Sequence, residues 1–273
     1  KPFIFAEKKM ASPQEQQIVQ TFMQNVYGKK ADVSGMNSKH DGNKGHWLER
    51  QMGITHNASN APDLLGFEMK NQTTSKTTFG DWSPSYFIFN DKEIIPREKG
   101  IRAVDRRDTH FLTVWGQPNV GKENRLSWSG KPIPKIDQWN DFGCILLVNQ
   151  NNDIEIVYDY QRDLRPNKTA IVPECYRNAP IVIAKWDAAK LAKKVNDKFN
   201  QKGWFTCKTN ALGVYEKICF GNPINFESWI SLVKEGTVFY DSGMYFGNAR
   251  PYAQWRATNN YWNSLILREY PQI

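Results

Sequence analysis

The sequence predicts an α/β protein of mixed, α+β character, in which helices pack against a mixed central sheet. Three observations support this prediction. Two segments repeat apolar residues at helical spacing, runs between them are rich in β-branched and aromatic residues, and 40% of the 273 residues are hydrophobic. A chain of this length and composition buries a substantial core, which excludes the disordered and fibrous classes.

The first helix is predicted to begin at Pro13, a residue that suits the first helical position. Ser12 is a candidate N-cap, and Glu15 completes a capping box. Apolar residues then recur at helical spacing until Gly28, which ends the pattern. A polar, glycine-rich loop follows, and a shorter helix is predicted over "HWLERQMG".

The β content rises after residue 80. The runs typical of strands are "SYFIF", "HFLTVWG", "GCILLVN", "IEIVYDY" and "PIVIAKW". "NQNND" between two of them predicts a hairpin turn, and "FESWISLVKEG" has helical spacing.

A second clear helix is predicted from Asp187 to Gly203. Its polar face carries Lys190, Lys193, Lys194, Lys198 and Lys202. We interpret this face as solvated, with a phosphate-facing role as the alternative.

The formal charge of +8 favours an anionic partner, of which nucleic acid is the commonest large example. No run approaches the roughly 18 apolar residues that a membrane span needs. The opening residues do not resemble a signal peptide. The four cysteines are widely spaced, which predicts free thiols in a cytoplasmic protein.

The segment "PDLLGFEMK", residues 62–70, raises the possibility of a metal site. Side chains alternate along a strand, so Phe67 and Met69 are predicted to face the core while Glu68 and Lys70 face the other way. Gly66 allows a bend that brings Asp63 towards the Glu68 face.

Two carboxylates are the hard oxygen ligands that Mg²⁺ prefers, and a substrate phosphate can complete its shell. Such an ion would neutralise charge on a scissile phosphate, and Lys70 would orient the attacking water. This chemistry suits hydrolysis of a phosphodiester. The pattern alone also fits an ordinary strand with a solvated Glu/Lys pair.

The segment "GMYFGNARPYAQWRATNNYW" concentrates side chains that read DNA bases. Tyr252, Gln254 and Arg256 alternate, so they would share one face of an extended chain. The candidate DNA-binding residues here are Tyr245, Asn248, Arg250, Tyr252, Gln254, Arg256, Asn259 and Asn260. The alternative is a segment that docks on the core through its aromatic rings.

Two further places hold candidate DNA contacts. "KENRLSWSGK" contributes Arg125 and Trp128 as groove or phosphate contacts. "DRRDTHFL" would place His110 on a strand near the cleft, where it would donate to a base edge or a phosphate. The alternative is a structural or merely exposed histidine.

The motifs that flank this segment favour the metal-site hypothesis over a solvated Glu/Lys pair. "GHWLERQMGI", "PDLLGFEMK", "NRLSWSGKPIP", "NDFG" and "VFYDSGMYFGNARPYAQWRATNN" together resemble the MvaI/BcnI restriction endonuclease family, and more distantly the MutH/Sau3AI group of PD-(D/E)xK nucleases. The resemblance spans most of the chain. It implies that Asp63 and Glu68 are metal ligands, that Lys70 is the catalytic lysine, and that Glu49 is an additional acidic residue of the site. The alternative for Glu49 is a helix-surface carboxylate or a partner for Arg50 or a lysine.

The resemblance also implies a function and an organisation. It implies a monomeric type II restriction endonuclease that uses Mg²⁺ to cut double-stranded DNA at a short site, of CC-N-GG or GATC type, leaving 5′-phosphate ends. A cognate DNA methyltransferase is expected in the same system. We expect a catalytic lobe near residues 1–204 and a recognition lobe near residues 205–273, with interleaving possible.

Other functions remain open at this point. One is a MutH-like endonuclease that nicks one strand in mismatch repair. Another is a catalytically inactive sequence-specific DNA-binding protein. A third is a single-stranded RNA binder built on the aromatic residues.

Overall fold

The computed structural model describes residues 11–35, 42–55, 60–72, 74–96 and 100–271. Its helices are α1 Pro13–Asn25, α2 Asn43–Gln51, α3 Ala103–Arg106, α4 Thr113–Trp115, α5 Lys168–Ile171, α6 Ala188–Phe199, α7 Phe226–Lys234 and α8 Asn259–Ser264. Its strands are β1 Phe67–Met69, β2 Lys76–Asp81, β3 Tyr86–Phe87, β4 Gln117–Asn119, β5 Arg125–Trp128, β6 Phe142–Val148, β7 Ile154–Asp163, β8 Ile181–Trp186, β9 Gly203–Thr209, β10 Tyr215–Gly221, β11 Phe239–Ser242, β12 Met244–Tyr245, β13 Ala253–Thr258 and β14 Ile266–Tyr270. A π-helical segment, Arg107–Leu112, joins α3 to α4.

The chain forms two compact units that alternate along the sequence. Unit 1 comprises Lys1–Gln72, Asp197–Pro223 and Asn263–Ile273, and unit 2 comprises Thr73–Asn196 and Ile224–Trp262. The two units interleave along the sequence, and residue 204 lies inside β9 of unit 1.

Unit 1 is built on a sheet with the strand order β1-β9-β10-β14. β1 runs parallel to β9, whereas the other pairs are antiparallel, so the sheet is mixed as predicted. One face carries Phe67, Met69, Phe205 and Phe220, which pack with buried residues of α1 and α2. The opposite face carries Glu68, and it forms the candidate site described below.

At the N-terminus of α1, the predicted Ser12 N-cap is confirmed, whereas the predicted capping box with Glu15 is wrong. The Ser12 hydroxyl accepts a hydrogen bond from the Glu15 backbone N–H at 3.2 Å. The Glu15 carboxylate is buried and instead accepts two bonds from Arg268, at 2.7 and 2.8 Å, and one from Tyr270. A bidentate charged pair is stronger than a bond to one backbone N–H, so it takes the carboxylate away from the capping box.

Unit 2 contains three sheets, with orders β11-β13-β2, β12-β5-β4 and β3-β8-β7-β6. Their core is aromatic, and rings of Trp128, Trp186, Tyr240 and Trp255 contact one another at centroid distances of 4.7–5.9 Å. The "NQNND" turn is confirmed, since the Asn149 N–H donates to the Asp153 carbonyl between β6 and β7. The four cysteines are free thiols. No helix in the described ranges is long and apolar enough to cross a membrane.

The strand predicted over "HFLTVWG" is wrong, because this run forms the π-helical segment and α4. Phe111, Leu112, Val114 and Trp115 are buried while Thr113 is exposed, which follows a helical period. Phe111 packs on Trp115 with ring centroids 5.1 Å apart, one helical turn away. Packing inside unit 2 thus overrides the β propensity of the run.

Candidate active site

The segment predicted to hold the metal ligands folds into a tight hairpin. Leu64 and Phe67 exchange two backbone hydrogen bonds, at 3.0 and 2.8 Å. The two residues between them, Leu65 and Gly66, have positive φ angles of 51° and 86°. This combination is typical of a type I′ turn, whose twist matches that of paired strands. The turn reverses the chain, and the Asp63 carboxylate accepts a hydrogen bond from the Met69 N–H at 2.9 Å.

Glu68 and Lys70 do face away from Phe67 and Met69, but the solvated pair considered from the sequence is wrong. Glu68 is 2% exposed and Lys70 is 6% exposed. The last turn of α6 covers them, with the Lys70 ammonium 5.1 Å from the centre of the Phe199 ring. This face of β1 is therefore a second buried surface.

Two ammonium groups bind the same oxygen of the buried carboxylate. Lys70 Nζ lies 2.8 Å from Glu68 Oε1, and Lys198 Nζ lies 3.1 Å from it. Burial raises the pKa of Glu68, an effect that the two lysines oppose and the neighbouring Asp63 carboxylate reinforces. Burial also lowers the pKa of Lys70 against the opposing attraction of Glu68. A lysine with a lowered pKa is better suited to exchange a proton near neutral pH.

The donor set fits a hard divalent cation. Glu68 Oε2 is buried and has no hydrogen-bond partner in the described part of the chain. Asp63 is exposed and adjoins it through the hairpin. Within the described ranges no group of three or more His, Cys, Asp or Glu residues forms a metal cluster, so the set is two carboxylates. Mg²⁺ is commonly held by one or two carboxylates, with waters and a substrate phosphate as its other ligands.

Glu49 lies on α2, where its Oε2 is 3.4 Å from Nδ1 of His46. One turn earlier on the same helix, a Cβ at Gly45 would lie 2.9 Å from the amide nitrogen of Asn71. Residues four apart share a helix face, so Glu49 belongs to the face that approaches the chain just beyond Lys70.

In unit 2, β13 carries two of the predicted DNA contacts on one face. Ala253, Trp255 and Ala257 are buried, whereas Gln254 and Arg256 are partly exposed on the opposite face. This alternation confirms the shared face predicted for Gln254 and Arg256, whereas Tyr252, the third residue of that prediction, precedes β13.

Asp241, on neighbouring β11, supplies the counter-charge on that face. Its Oδ2 lies 2.7 Å from Lys76 Nζ and 2.9 Å from Arg256 Nε, the latter without hydrogen-bond alignment. Arg256 is therefore paired with a carboxylate on the neighbouring strand.

The cluster on β5 divides into one accessible residue and one buried residue. The Arg125 guanidinium stacks on the Tyr245 ring at 3.5 Å, and both side chains are partly exposed. Trp128 is 0% exposed and packs against Phe111 and Tyr240. The ring of Trp128, predicted as a groove or phosphate contact, therefore belongs to the aromatic core.

The loop after Tyr245 is held from inside. The Asn248 side chain accepts a bond from the Tyr245 N–H and donates one to the Gly243 carbonyl. Its amide therefore shapes the loop instead of standing free for a base. Arg250 and Tyr252 are exposed, and the Tyr252 ring packs directly on Gly243.

Three other candidates lie at helical positions. His110 is exposed, but it lies in the π-helical segment and not on the predicted strand. Asn259 begins α8 and accepts a bond from the Thr77 hydroxyl at 2.8 Å, which gives it a structural role. Asn260 is exposed on the same helix.

Sequence reasoning missed residues whose importance depends on tertiary contacts. Lys198 belonged to the lysine-rich face taken as solvated, yet it reaches the buried Glu68. The buried Arg107–Asp108 pair was not singled out, although it binds the loop after Tyr245. The only signal in the sequence was the motif "DRRD", in which an Arg and an Asp are adjacent.

Comparisons with known proteins bear on the whole chain. A family model described as LlaMI restriction endonuclease matches residues 26–270. The chain is 48% identical over 266 residues to the type II restriction enzyme ScrFI of Lactococcus lactis subsp. cremoris, a match that covers 93% of this chain and 98% of that enzyme. The fold is similar to that of restriction endonuclease MvaI in complex with its cognate DNA, with a TM-score of 0.57 at 12% identity, over 95% of this chain and 98% of that chain.

Proposed function

Because this chain belongs to the LlaMI restriction endonuclease family, we propose that it is a type II restriction enzyme that hydrolyses double-stranded DNA at a specific sequence. The predicted resemblance to MvaI/BcnI-type enzymes and the predicted mixed α/β fold are confirmed by the same matches. The proposed reaction uses Mg²⁺ and leaves 5′-phosphate ends.

One observation carries the proposal for the site: the hairpin brings Asp63 beside Glu68, with the Lys70 ammonium 2.8 Å from Glu68. Asp63 and Glu68 would hold Mg²⁺, with Oε2 of Glu68, unpartnered among the described residues, as one ligand atom. When bound, the ion supplies charge neutralisation at the scissile phosphate. Burial of Glu68 and Lys70 excludes water from part of the site and strengthens their electrostatic effect on the substrate.

Lys70 has the role of orienting the nucleophile and stabilising developing negative charge. Its Nζ is fixed by Glu68 and by the Phe199 ring, so little reorganisation is needed during reaction. Its lowered pKa allows it to hold or release a proton at Nζ. Glu49, on the α2 face that approaches Asn71, is proposed as an additional acidic residue of this site.

We propose that unit 1 is catalytic and that unit 2 supplies most of the sequence recognition. The proposed DNA contacts are the exposed or partly exposed candidates His110, Arg125, Tyr245, Arg250, Tyr252, Gln254, Arg256 and Asn260. Arginine and glutamine on one strand face suit hydrogen bonding to base edges. We further propose a cytoplasmic monomer that acts beside a cognate DNA methyltransferase.

The decisive experiment is incubation of plasmid DNA with the purified protein and Mg²⁺ alone. Full linearisation at reproducible ends supports the proposal, and sequencing those ends gives the site and the stagger. Nicking that requires a partner protein would support the MutH-like alternative. Duplex binding without cleavage, equal in wild type and Lys70→Ala, would identify a catalytically inactive DNA-binding protein and overturn the proposal.

A further inference from the structure

Glu68 presents two different edges in the candidate site. Its Oε1 is shared by the ammonium groups of Lys70 and Lys198, at 2.8 and 3.1 Å. Its Oε2 is buried without a hydrogen-bond partner among the described residues. One oxygen therefore already has two cationic neighbours, while the other is buried without a hydrogen-bond partner in the described part of the chain, a place that a metal ion could take by coordination.

The two lysines differ in their freedom to move. The Lys70 side chain is 7% exposed and lies under the Phe199 ring. The Lys198 side chain is 18% exposed and projects from the last turn of α6. A lysine with a partly exposed, flexible stem can carry its ammonium to solvent, so Lys198 is the partner that can leave Glu68.

The charges immediately around Glu68 are matched in number when all four groups are ionised. Asp63 and Glu68 contribute two negative charges, and Lys70 and Lys198 contribute two positive charges. A divalent cation bound by the carboxylates would add two more positive charges in a poorly solvated place. Repulsion between like charges at this range is large, and departure of Lys198 relieves it.

We propose that Lys198 is a built-in counter-cation for Glu68, which holds the carboxylate in the metal-free protein and competes with a divalent cation for it. The inference rests on the proposed function, because it takes Asp63 and Glu68 as the metal ligands. Lys198 is a positioning residue, since it acts through Glu68. It gives a buried carboxylate a cationic partner before the metal arrives, at the cost of weaker metal binding.

The test measures metal binding without DNA, with Mn²⁺ as the probe and water-proton relaxation as the readout. Lys198→Met is expected to bind Mn²⁺ on the order of tenfold more tightly than wild type, because the competing charge is gone. Its metal-free melting temperature is expected to fall, and the rise in melting temperature on adding Mn²⁺ is expected to increase. Lys198→Arg keeps the charge and is expected to bind Mn²⁺ within about twofold of wild type.

Lys194→Met is the matched control, because it removes the same charge one turn earlier on α6 from an exposed position. If it tightens Mn²⁺ binding as much as Lys198→Met does, the effect is one of net charge and the proposal is overturned. Unchanged or weaker Mn²⁺ binding in Lys198→Met overturns it as well. If Lys198→Met does not fold, Lys198→Gln replaces it, since the amide can still donate to Glu68.

Failure of this inference is distinguishable from failure of the proposed function. If wild type linearises plasmid DNA and Lys198→Met has an unchanged Mn²⁺ affinity, the proposed function stands. The role of Lys198 as a counter-cation is then refuted. If neither wild type nor Lys198→Met binds Mn²⁺, the counter-cation role of Lys198 is also refuted. If wild type does not cleave DNA, the proposed restriction activity itself is refuted.

Discussion

The Asp63 carboxylate accepts a hydrogen bond from the backbone N–H of Met69, at 2.9 Å. The bond spans the hairpin turn and fixes one carboxylate next to the strand that carries the other. Asp63 is exposed and Met69 is buried, so the contact ties the open edge of the site to the core of unit 1. The position of Asp63 therefore depends on the conformation of Leu65 and Gly66.

The turn itself is the first target. Leu65 is 39% exposed and has a φ of 51°, a conformation that asparagine tolerates better than leucine. Leu65→Asn is expected to raise the free energy of unfolding by roughly 0.5–1 kcal/mol and to leave cleavage unchanged. Gly66→Ala is expected to lower it by about 1–2 kcal/mol and to slow cleavage, because a Cβ at this φ is strained. Urea unfolding and a cleavage time course check both.

A Cβ at Gly66 would also lie 3.1 Å from the Lys202 side chain, which can give way because it is flexible. Backbone strain is therefore the main expected effect. If Gly66→Ala is destabilised but still cleaves DNA at the wild-type rate, the role of this turn in positioning Asp63 is contradicted.

Removal of the Lys70 ammonium is expected to separate binding from chemistry. Lys70→Met is expected to lower the cleavage rate by at least about 100-fold, because a fixed charge near the reacting phosphate is lost. Its affinity for cognate duplex, measured by fluorescence anisotropy with Ca²⁺ in place of Mg²⁺, is expected to stay within about threefold. Lys217→Met, which removes an exposed partner of Glu269, is the control and should cleave normally. A parallel loss of binding and cleavage in Lys70→Met would argue for a structural role.

The buried Arg107–Asp108 pair is expected to set the order of the loop after Tyr245. Arg107 donates to the carbonyls of Asn248 and Tyr245, at 2.7 and 3.2 Å, and Asp108 accepts from the Gly247 N–H at 2.8 Å. Lysine cannot reproduce this fork of donors. Arg107→Lys is expected to lower the free energy of unfolding by roughly 1–3 kcal/mol and to raise the Kd for cognate duplex about tenfold.

The matched control is Arg102→Lys, which changes an exposed pair with Asp105. It should leave both the free energy of unfolding and the Kd close to wild type. Unchanged DNA affinity in a destabilised Arg107→Lys would show that the order of this loop does not matter for recognition.

Arg250 and Arg256 are expected to contribute differently to DNA binding. Arg250 is exposed, so Arg250→Gln should weaken binding to all duplexes and reduce the salt slope of log Kd by about 1. Arg256 is oriented by Asp241, so Arg256→Gln should mainly weaken cognate binding, by about 1–3 kcal/mol. Salt titrations on cognate and scrambled duplexes separate the two effects. If Arg256→Gln loses affinity equally for the cognate and the scrambled duplex, Arg256 is a phosphate contact.

Acid sensitivity is expected from the Asp163–Arg165 pair of unit 2. Burial opposes ionisation of Asp163, but hydrogen bonds from Arg165 and Tyr158 outweigh it and hold the pKa of Asp163 below its usual range. A depressed carboxyl pKa stabilises the fold above the unfolded value of about 3.9, and this stability is lost as pH falls through the folded pKa. Asp163→Asn is expected to cost about 3–5 kcal/mol at neutral pH, with the difference shrinking below about pH 4.

Urea unfolding between pH 3 and pH 7 measures this difference. Asp187→Asn, at an exposed pair with Lys190, is the control and should change stability by less than about 1 kcal/mol. A gap between wild type and Asp163→Asn that stays constant down to pH 3 would exclude Asp163 as the titrating group.

Local patterns in the sequence were sufficient to predict much of the fold and part of the candidate site. The Ser12 cap, the helices α1, α6 and α7 and the turn at residues 149–153 follow from spacing and turn chemistry, which act over a few residues. The bend at Gly66 is local in the same sense, so the approach of Asp63 to the strand could be predicted. The prediction of a strand around Phe111 was wrong, because packing in unit 2 decided the conformation of this run.

The sequence by itself determined which residues are the candidates for the chemistry: the acids and the lysine of "PDLLGFEMK", and the arginines near the C-terminus. Tertiary structure decided their environment. Burial of Glu68 and Lys70 depends on α6, whose Lys198 is 130 residues away in sequence from Glu68. Burial of Trp128 and the pairing of Arg256 with Asp241 are likewise set by neighbouring strands. The reason is physical: periodicity shows which way a side chain points, and only the packed chain determines what lies opposite.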